Sequence, residues 1–310
     1  MRVGEEDLAP GTAAPGSYGP QGRSEWLDID WRTHQRWVVV EGQPVNTIEL
    51  GEGEGQPIVF VHGLSGSWQN WLEQLPVFAH DHRVLALDLP GFGHSPMPAA
   101  EISISGYARL LDGLLAERGI DAAAVMGNSM GGFIGAELAI SFPQRVERLV
   151  LVSAAGLSTY NEPRVTRAVP ALRRLNRILA GTAAWVASRS DAVTRRPRLR
   201  DATFKIAAHH PGRLPAALVA EQLRGAGKPG FFDALQAVLT YDVRERLPEI
   251  ACPTLIVWGK QDLLISVRDA DVFEQLIPDA RKVIFDDTGH VAMLERPQAF
   301  NALLERFLAE

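Results

Sequence analysis

The chain has 310 residues, 46% hydrophobic and 22% charged, enough length and apolar content to bury a large core in one big domain or two smaller ones. This balance excludes collagen-like, disulfide-stapled and disordered chains, and the formal net charge of -6 (31 Lys and Arg, 37 Asp and Glu) argues against nucleic acid as a partner, because phosphate binding needs a basic face. The longest apolar run, Leu149 to Leu157, falls well short of the ~18 residues of a membrane-spanning helix, and the single Cys252, which can form no intramolecular disulfide, points to a reducing, cytoplasmic compartment.

Residues 1–25 hold eight Gly or Pro together with Glu5, Glu6 and Asp7, and lack the apolar stretch of a signal peptide, so a disordered tail outside the fold is expected there. Next, Arg36 to Val40 and Val45 to Leu50 flank the turn Glu41-Gly42-Gln43-Pro44 and predict an antiparallel hairpin. Short apolar runs of the buried parallel type follow at Ile58 to Val61, Val84 to Leu87, Ala123 to Met126, Leu149 to Val152, Leu255 to Trp258 and Val283 to Phe285. Helical spacing separates most of them, at Leu72 to Phe78, Ile104 to Arg118, Gly131 to Phe142, Val267 to Leu276 and Pro297 to Leu308. This alternation predicts an α/β fold, a doubly wound and mostly parallel eight-stranded sheet with helices on both faces. Between Leu157 and about Tyr241 the alternation stops and helical patterns such as Pro170 to Leu179 dominate. The expected organisation is a core of residues 26–156 and 242–310, with a helical lid, 157–241, inserted after the sixth strand at the carboxyl ends of the strands.

Gly127-Asn128-Ser129-Met130-Gly131 joins the strand Ala123 to Met126 directly to a helix. A strand-to-helix reversal this tight strains the serine backbone, leaves no room for side chains at the flanking glycines, and lifts the serine hydroxyl to the carboxyl edge of the sheet. Ser129 is therefore the expected nucleophile, and a hydroxyl needs a base. Of the eight histidines, His34, His80 and His82 sit at surface-like positions, His209 and His210 fall in the insertion, and His62 and His94 occupy edge loops. His290, in the short loop Asp287-Thr288-Gly289-His290 after the last strand, is the expected base. Its acid should also follow a strand end: Asp262 does so after Thr254 to Trp258, whereas Asp269 and Asp271 fall in the next helix and are expected to be solvated. The order Ser129, Asp262, His290 suits a nucleophile-elbow enzyme. The backbone N–H groups of Met130 and Leu64 are the expected oxyanion donors, with His62 shaping the Leu64 loop, and Trp68, Trp71 and Phe92 read equally as pocket or core.

Together, His62-Gly63-Leu64, Asp88 to Ser95, Gly127-Asn-Ser-Met-Gly-Gly132, Trp258 to Asp262 and Thr288-Gly-His290 resemble the α/β-hydrolase superfamily over about residues 45–156 and 245–310. The resemblance implies hydrolysis of carboxylic esters of small or lipid-like substrates through a Ser-His-Asp triad and an acyl-enzyme, with no metal or organic cofactor, and a mainly loop-shaping role, outside the chemistry, for Asp88 to Ser95. Gly-Asn-Ser-Met-Gly-Gly is also similar to the carbon–carbon bond hydrolases of aromatic ring-fission products, which usually carry a tryptophan where this chain has Val291. Carboxylesterases and monoacylglycerol-lipase-like enzymes fit at least as well, and perhydrolysis would use the same triad. A non-catalytic ligand-binding module on the same fold is the alternative of another class, and a complete triad speaks against it.

The insertion has its own charge. From Leu157 to Gly230 there are fourteen Lys or Arg, Arg164, Arg167, Arg173, Arg174 and Arg177 among them, against four acids, a net of +10 that leaves the remainder at -16. Leu172, Leu175 and Leu179 would be the apolar stripe of an amphipathic helix, either packed over the pocket or making peripheral contact with an anionic membrane.

Overall fold

The computed structural model describes residues 17–160 and 176–310, with side chains in the second range from residue 181. Eight strands, β1 (Gln35–Val40), β2 (Gln43–Leu50), β3 (Gly55–Val61), β4 (His82–Leu87), β5 (Ala123–Asn128), β6 (Val146–Val152), β7 (Thr254–Gly259) and β8 (Ala280–Phe285), form one sheet in the order β1-β2-β4-β3-β5-β6-β7-β8. β2 is antiparallel to both of its neighbours and every other pairing is parallel. From β3 the chain steps outward to β4, then returns to the other side of β3 with β5. That reversal opens a crevice at the carboxyl ends of β3 and β5, where ligands bind in sheets of this kind.

The pleat sends alternate residues to opposite faces. Val59, Val61, Leu85, Leu87, Val125, Leu149, Leu151 and Trp258 join one core with the helices α1 (Ile104–Glu117) and α2 (Met130–Ser141). Ile58, Phe60, Val84, Ala86, Met126, Val150, Val152 and Val257 join the other, which Phe300, Leu304 and Phe307 of the C-terminal helix Pro297–Leu308 complete. Both faces being covered, the carboxyl-terminal parts of the central strands are continuously apolar and do not alternate with polar residues. Ser103 starts α1, its hydroxyl accepting the Gly106 N–H at 3.1 Å.

Between β6 and β7 lie α3 (Asn176–Ser188), α4 (Ser190–Thr194), α5 (Pro197–Phe204), α6 (Ala216–Arg224) and α7 (Phe231–Thr240), and the described residues of this insertion contain no strand. Most of the Pro170 to Leu179 pattern, with Arg164, Arg167, Arg173, Arg174 and Arg177, lies outside the described residues and side chains. None of the described helices is long and apolar enough to cross a membrane.

Three expectations differ from the structure. Leu72 to Phe78 is helical only over Leu75–Phe78, after a 3-10 turn at Trp68–Trp71. Asp269, in the helix α8 (Arg268–Leu276), is buried and not solvated, because it accepts the N–H of Ser158 at 2.9 Å. The expected tail, 1–25, ends too late: residues 1–16 lie outside the described residues, but Tyr18 is buried, its hydroxyl donating to Glu295 Oε2 at 2.6 Å, just as Trp26 at the start of the expected core is buried with its indole N–H donating to Glu73 Oε1 at 2.7 Å. Large apolar rings with one polar atom to satisfy outweigh a loop-like composition.

Candidate active site

β5 passes into α2 through Ser129, whose backbone sits at φ 56° and ψ -118°. A non-glycine residue there costs on the order of 1–3 kcal/mol unless its surroundings enforce it. They do: the Ser129 N–H donates to Val152 O at 2.9 Å, and its carbonyl accepts the N–H groups of Phe133 at 3.1 Å and Ala155 at 3.0 Å. A Cβ on Gly127 would stand 2.2 Å from Gly131 O, and one on Gly131 would stand 2.2 Å from Val61 O, so the turn closes only with glycine at both positions.

His290 follows β8 and Asp262 follows β7, and both reach the same edge. His290 Nδ1 lies 2.7 Å from Asp262 Oδ2, with both side chains almost fully buried. Asp262 Oδ1 accepts the N–H groups of Leu264 at 2.8 Å and Ile265 at 3.0 Å. Burial by itself would raise the Asp262 pKa, but attraction to His290 and these hydrogen bonds outweigh it and hold the carboxyl below its ordinary value. An ionised carboxylate only accepts, so Nδ1 of His290 carries a hydrogen directed at it. Asn128 Nδ2 donates to His290 O at 3.2 Å and to Val152 O at 3.1 Å, linking the two loops.

His62 is fully buried in the loop after β3. Its Nε2 accepts the N–H of Leu89 at 3.0 Å, so Nδ1 bears the hydrogen and donates to Gly63 O at 2.8 Å. Burial pushes this imidazole below its ordinary value, against the pull of Asp88, which keeps it neutral in its loop. Asp88 in turn accepts from Asn46 Nδ2 and the His94 N–H, each at 2.8 Å, and from the Trp68 N–H at 2.9 Å, and so ties together the segment up to Ser95.

Ser129, Met130, Leu64 and His290 line one cavity of about 760 Å³, with Asp262 behind His290. Insertion residues Phe204, Ile206, Leu223, Phe231, Leu235 and Leu239 and core residues Leu264, Ile265 and Val291 make the walls largely apolar. Trp68, Trp71 and Phe92 are buried core residues away from this lining.

Sequence reading missed how the insertion meets this site. The His290 N–H donates to Ala207 O at 2.8 Å. Glu295, fully buried, accepts the N–H of His209 at 2.7 Å, that of Gly289 at 2.9 Å and that of Val291 at 3.3 Å, besides the Tyr18 hydroxyl. Burial raises its pKa and the donors only partly offset that. The available signal was one acid directly after the apolar run Val291 to Leu294, next to Arg296.

Known proteins share this architecture. The alpha/beta hydrolase fold model matches residues 56–297. The chain is 33% identical over 276 residues to the dihydrolipoyllysine-residue acetyltransferase component of the acetoin cleaving system of Cupriavidus necator, an alignment covering 87% of this chain and 67% of that protein. It is similar in structure to the enol-lactonase of Burkholderia xenovorans LB400, with TM-score 0.71, 27% identity, and 89% and 100% of the two chains covered. It is also similar to a bacterial membrane phospholipase A, with TM-score 0.70, 27% identity, and 89% and 85% covered. With the sheet order, the Ser129 turn and the family match in agreement, the chain belongs to the alpha/beta hydrolase fold family and is a hydrolase.

Proposed function

We propose that this protein is a serine hydrolase that cleaves carboxylic esters with an apolar acyl group, through Ser129, His290 and Asp262. The observation that carries the reading is the 2.7 Å contact between His290 Nδ1 and Asp262 Oδ2, with Ser129 at φ 56° on the wall of the same cavity as His290. Asp262 holds the imidazole in the tautomer whose Nε2 can accept a proton. His290 takes the proton of the Ser129 hydroxyl as its oxygen bonds to the ester carbonyl carbon. The carbonyl oxygen becomes an oxyanion, received by the backbone N–H groups of Leu64 and Met130. Met130 opens α2, so its N–H has no acceptor within that helix. As the ester C–O bond breaks, His290 returns the proton to the leaving alcohol. Water, deprotonated by the same imidazole, then releases the acid and restores Ser129.

The apolar walls favour aliphatic acyl groups, and enol-lactonase and phospholipase A are names of carboxylic-ester chemistries. Exposed Arg189, Arg195, Arg196 and Arg198 on the insertion favour anionic, lipid-like substrates. The test pairs a fluorophosphonate probe with p-nitrophenyl esters from acetate to octanoate. Wild type should be labelled and turn over the series, and Ser129→Ala should do neither. Labelling that persists in Ser129→Ala, or ester turnover equal in the two proteins, would overturn the reading.

A further inference from the structure

Asp287 lies three residues before His290, in the loop after β8, and faces two consecutive histidines of the insertion. His210 Nε2 is 2.6 Å and His209 Nε2 is 3.5 Å from the same oxygen, Asp287 Oδ1. We propose that His209, His210 and Asp287 bind one divalent transition-metal ion of the zinc type, and that this ion ties the helical insertion to the loop carrying His290.

The potential ligand atoms of the three residues lie within 4.8 Å of one another. A tetrahedral ion with bonds of about 2.0–2.1 Å holds its ligands roughly 3.3 Å apart, so the imidazoles need only small adjustments to enclose one. Two imidazoles and one carboxylate select zinc and its neighbours over magnesium or calcium, which prefer all-oxygen sites.

The ligands are also held in place. The His209 N–H is fixed to Glu295 Oε2 at 2.7 Å and the His210 N–H to the Tyr18 hydroxyl at 2.7 Å, and the Tyr18 ring meets the His210 ring edge-on at 5.4 Å. Asp287 adopts φ 51°, a conformation aspartate tolerates better than most residues. Its carboxylate is divided: Oδ1 faces the imidazoles, while Oδ2 meets Arg296 at 3.2 Å and Arg213 at 3.5 Å. Hydrogen-bonded outer partners of this kind orient a metal-binding carboxylate. These guanidiniums, together with Lys205, whose ammonium donates to His209 O, also repel a cation. They lower the affinity below that of an unflanked site. The ion sits outside the cavity and takes no part in the hydrolysis.

Zinc chloride titrated calorimetrically into the metal-stripped full chain at pH 7.5 tests the site. Wild type should bind one ion per chain. Alanine at His209 or His210 should weaken binding by at least about tenfold, while His80→Ala, at an exposed histidine of the core, should not change it. Arg213→Gln keeps all three ligands and should tighten binding several-fold, which covers the case of a ligand variant that fails to fold. Zinc should also slow proteolysis within the insertion of wild type. No saturable binding, undiminished binding in the double variant His209→Ala/His210→Ala, or no effect of Arg213→Gln would overturn the site. Binding without protection from proteolysis would overturn the tie.

Discussion

The backbone N–H of His290 donates to the carbonyl oxygen of Ala207 at 2.8 Å, so the loop of the imidazole proposed as base is held by the turn after α5 of the insertion as well as by the sheet. Here the chain passes close to itself: a Cβ on Gly289 would lie 2.8 Å from His209 N and 3.1 Å from Ala207 O. Gly289→Ala should therefore push the insertion away from the His290 loop. A clash of this size typically costs about 1–3 kcal/mol. The variant should melt several degrees lower and lose about tenfold or more in kcat/KM for esters, measured by thermal denaturation and steady-state kinetics.

Asp262→Asn should lower kcat by about three to four orders of magnitude with little change in fold, because an amide cannot enforce the same imidazole tautomer. The same residue predicts a pH dependence. Its pKa in the folded chain lies below the ordinary 3.8, so the stability it contributes is present above that value and is lost as pH falls below it. Urea unfolding midpoints of wild type and Asp262→Asn should differ by a constant amount from pH 5 to 8 and converge below about pH 4. A gap that widened on acidification would contradict the assignment.

Glu295→Gln replaces a carboxylate that serves four donors by an amide whose NH₂ faces some of them. Leaving buried donors unsatisfied costs roughly 1–3 kcal/mol each. A lower melting temperature and faster proteolysis of the insertion are expected, with kcat falling more than KM rises, because the loop that positions His290 loosens.

Leu235, half-buried on α7, lines the cavity. Leu235→Trp should fill part of it and shift the acyl preference toward short chains. For p-nitrophenyl octanoate kcat/KM should drop by about tenfold or more, at 1–3 kcal/mol per excluded methylene, while acetate hydrolysis stays within about threefold. An unchanged chain-length profile would place the acyl group elsewhere.

All eight strands were legible because each contains a short apolar run with turn residues nearby, and in β3 to β7 burial on both faces makes that run continuous. The Ser129 turn was legible for a different reason: the steric demands of Gly127 and Gly131 are local, acting across a few residues. His290 and Asp262 could be picked out because a parallel sheet brings every strand's carboxyl end to one edge. Asp269 and Tyr18 were misread, since composition and helical spacing carry no information about a partner 111 residues or 277 residues away.

What the sequence determined by itself was therefore the α/β architecture, the strained serine turn and the edge on which the candidate site lies, all consequences of backbone sterics and hydrophobic periodicity. Only the tertiary structure decided the size and apolar character of the cavity, the grip of Glu295 on three separate segments, and the approach of His209 and His210 to Asp287. Each depends on how the insertion seats against the loops after β3, β7 and β8. That seating is fixed by hydrogen bonds between residues far apart in the chain, for which local sequence has no code.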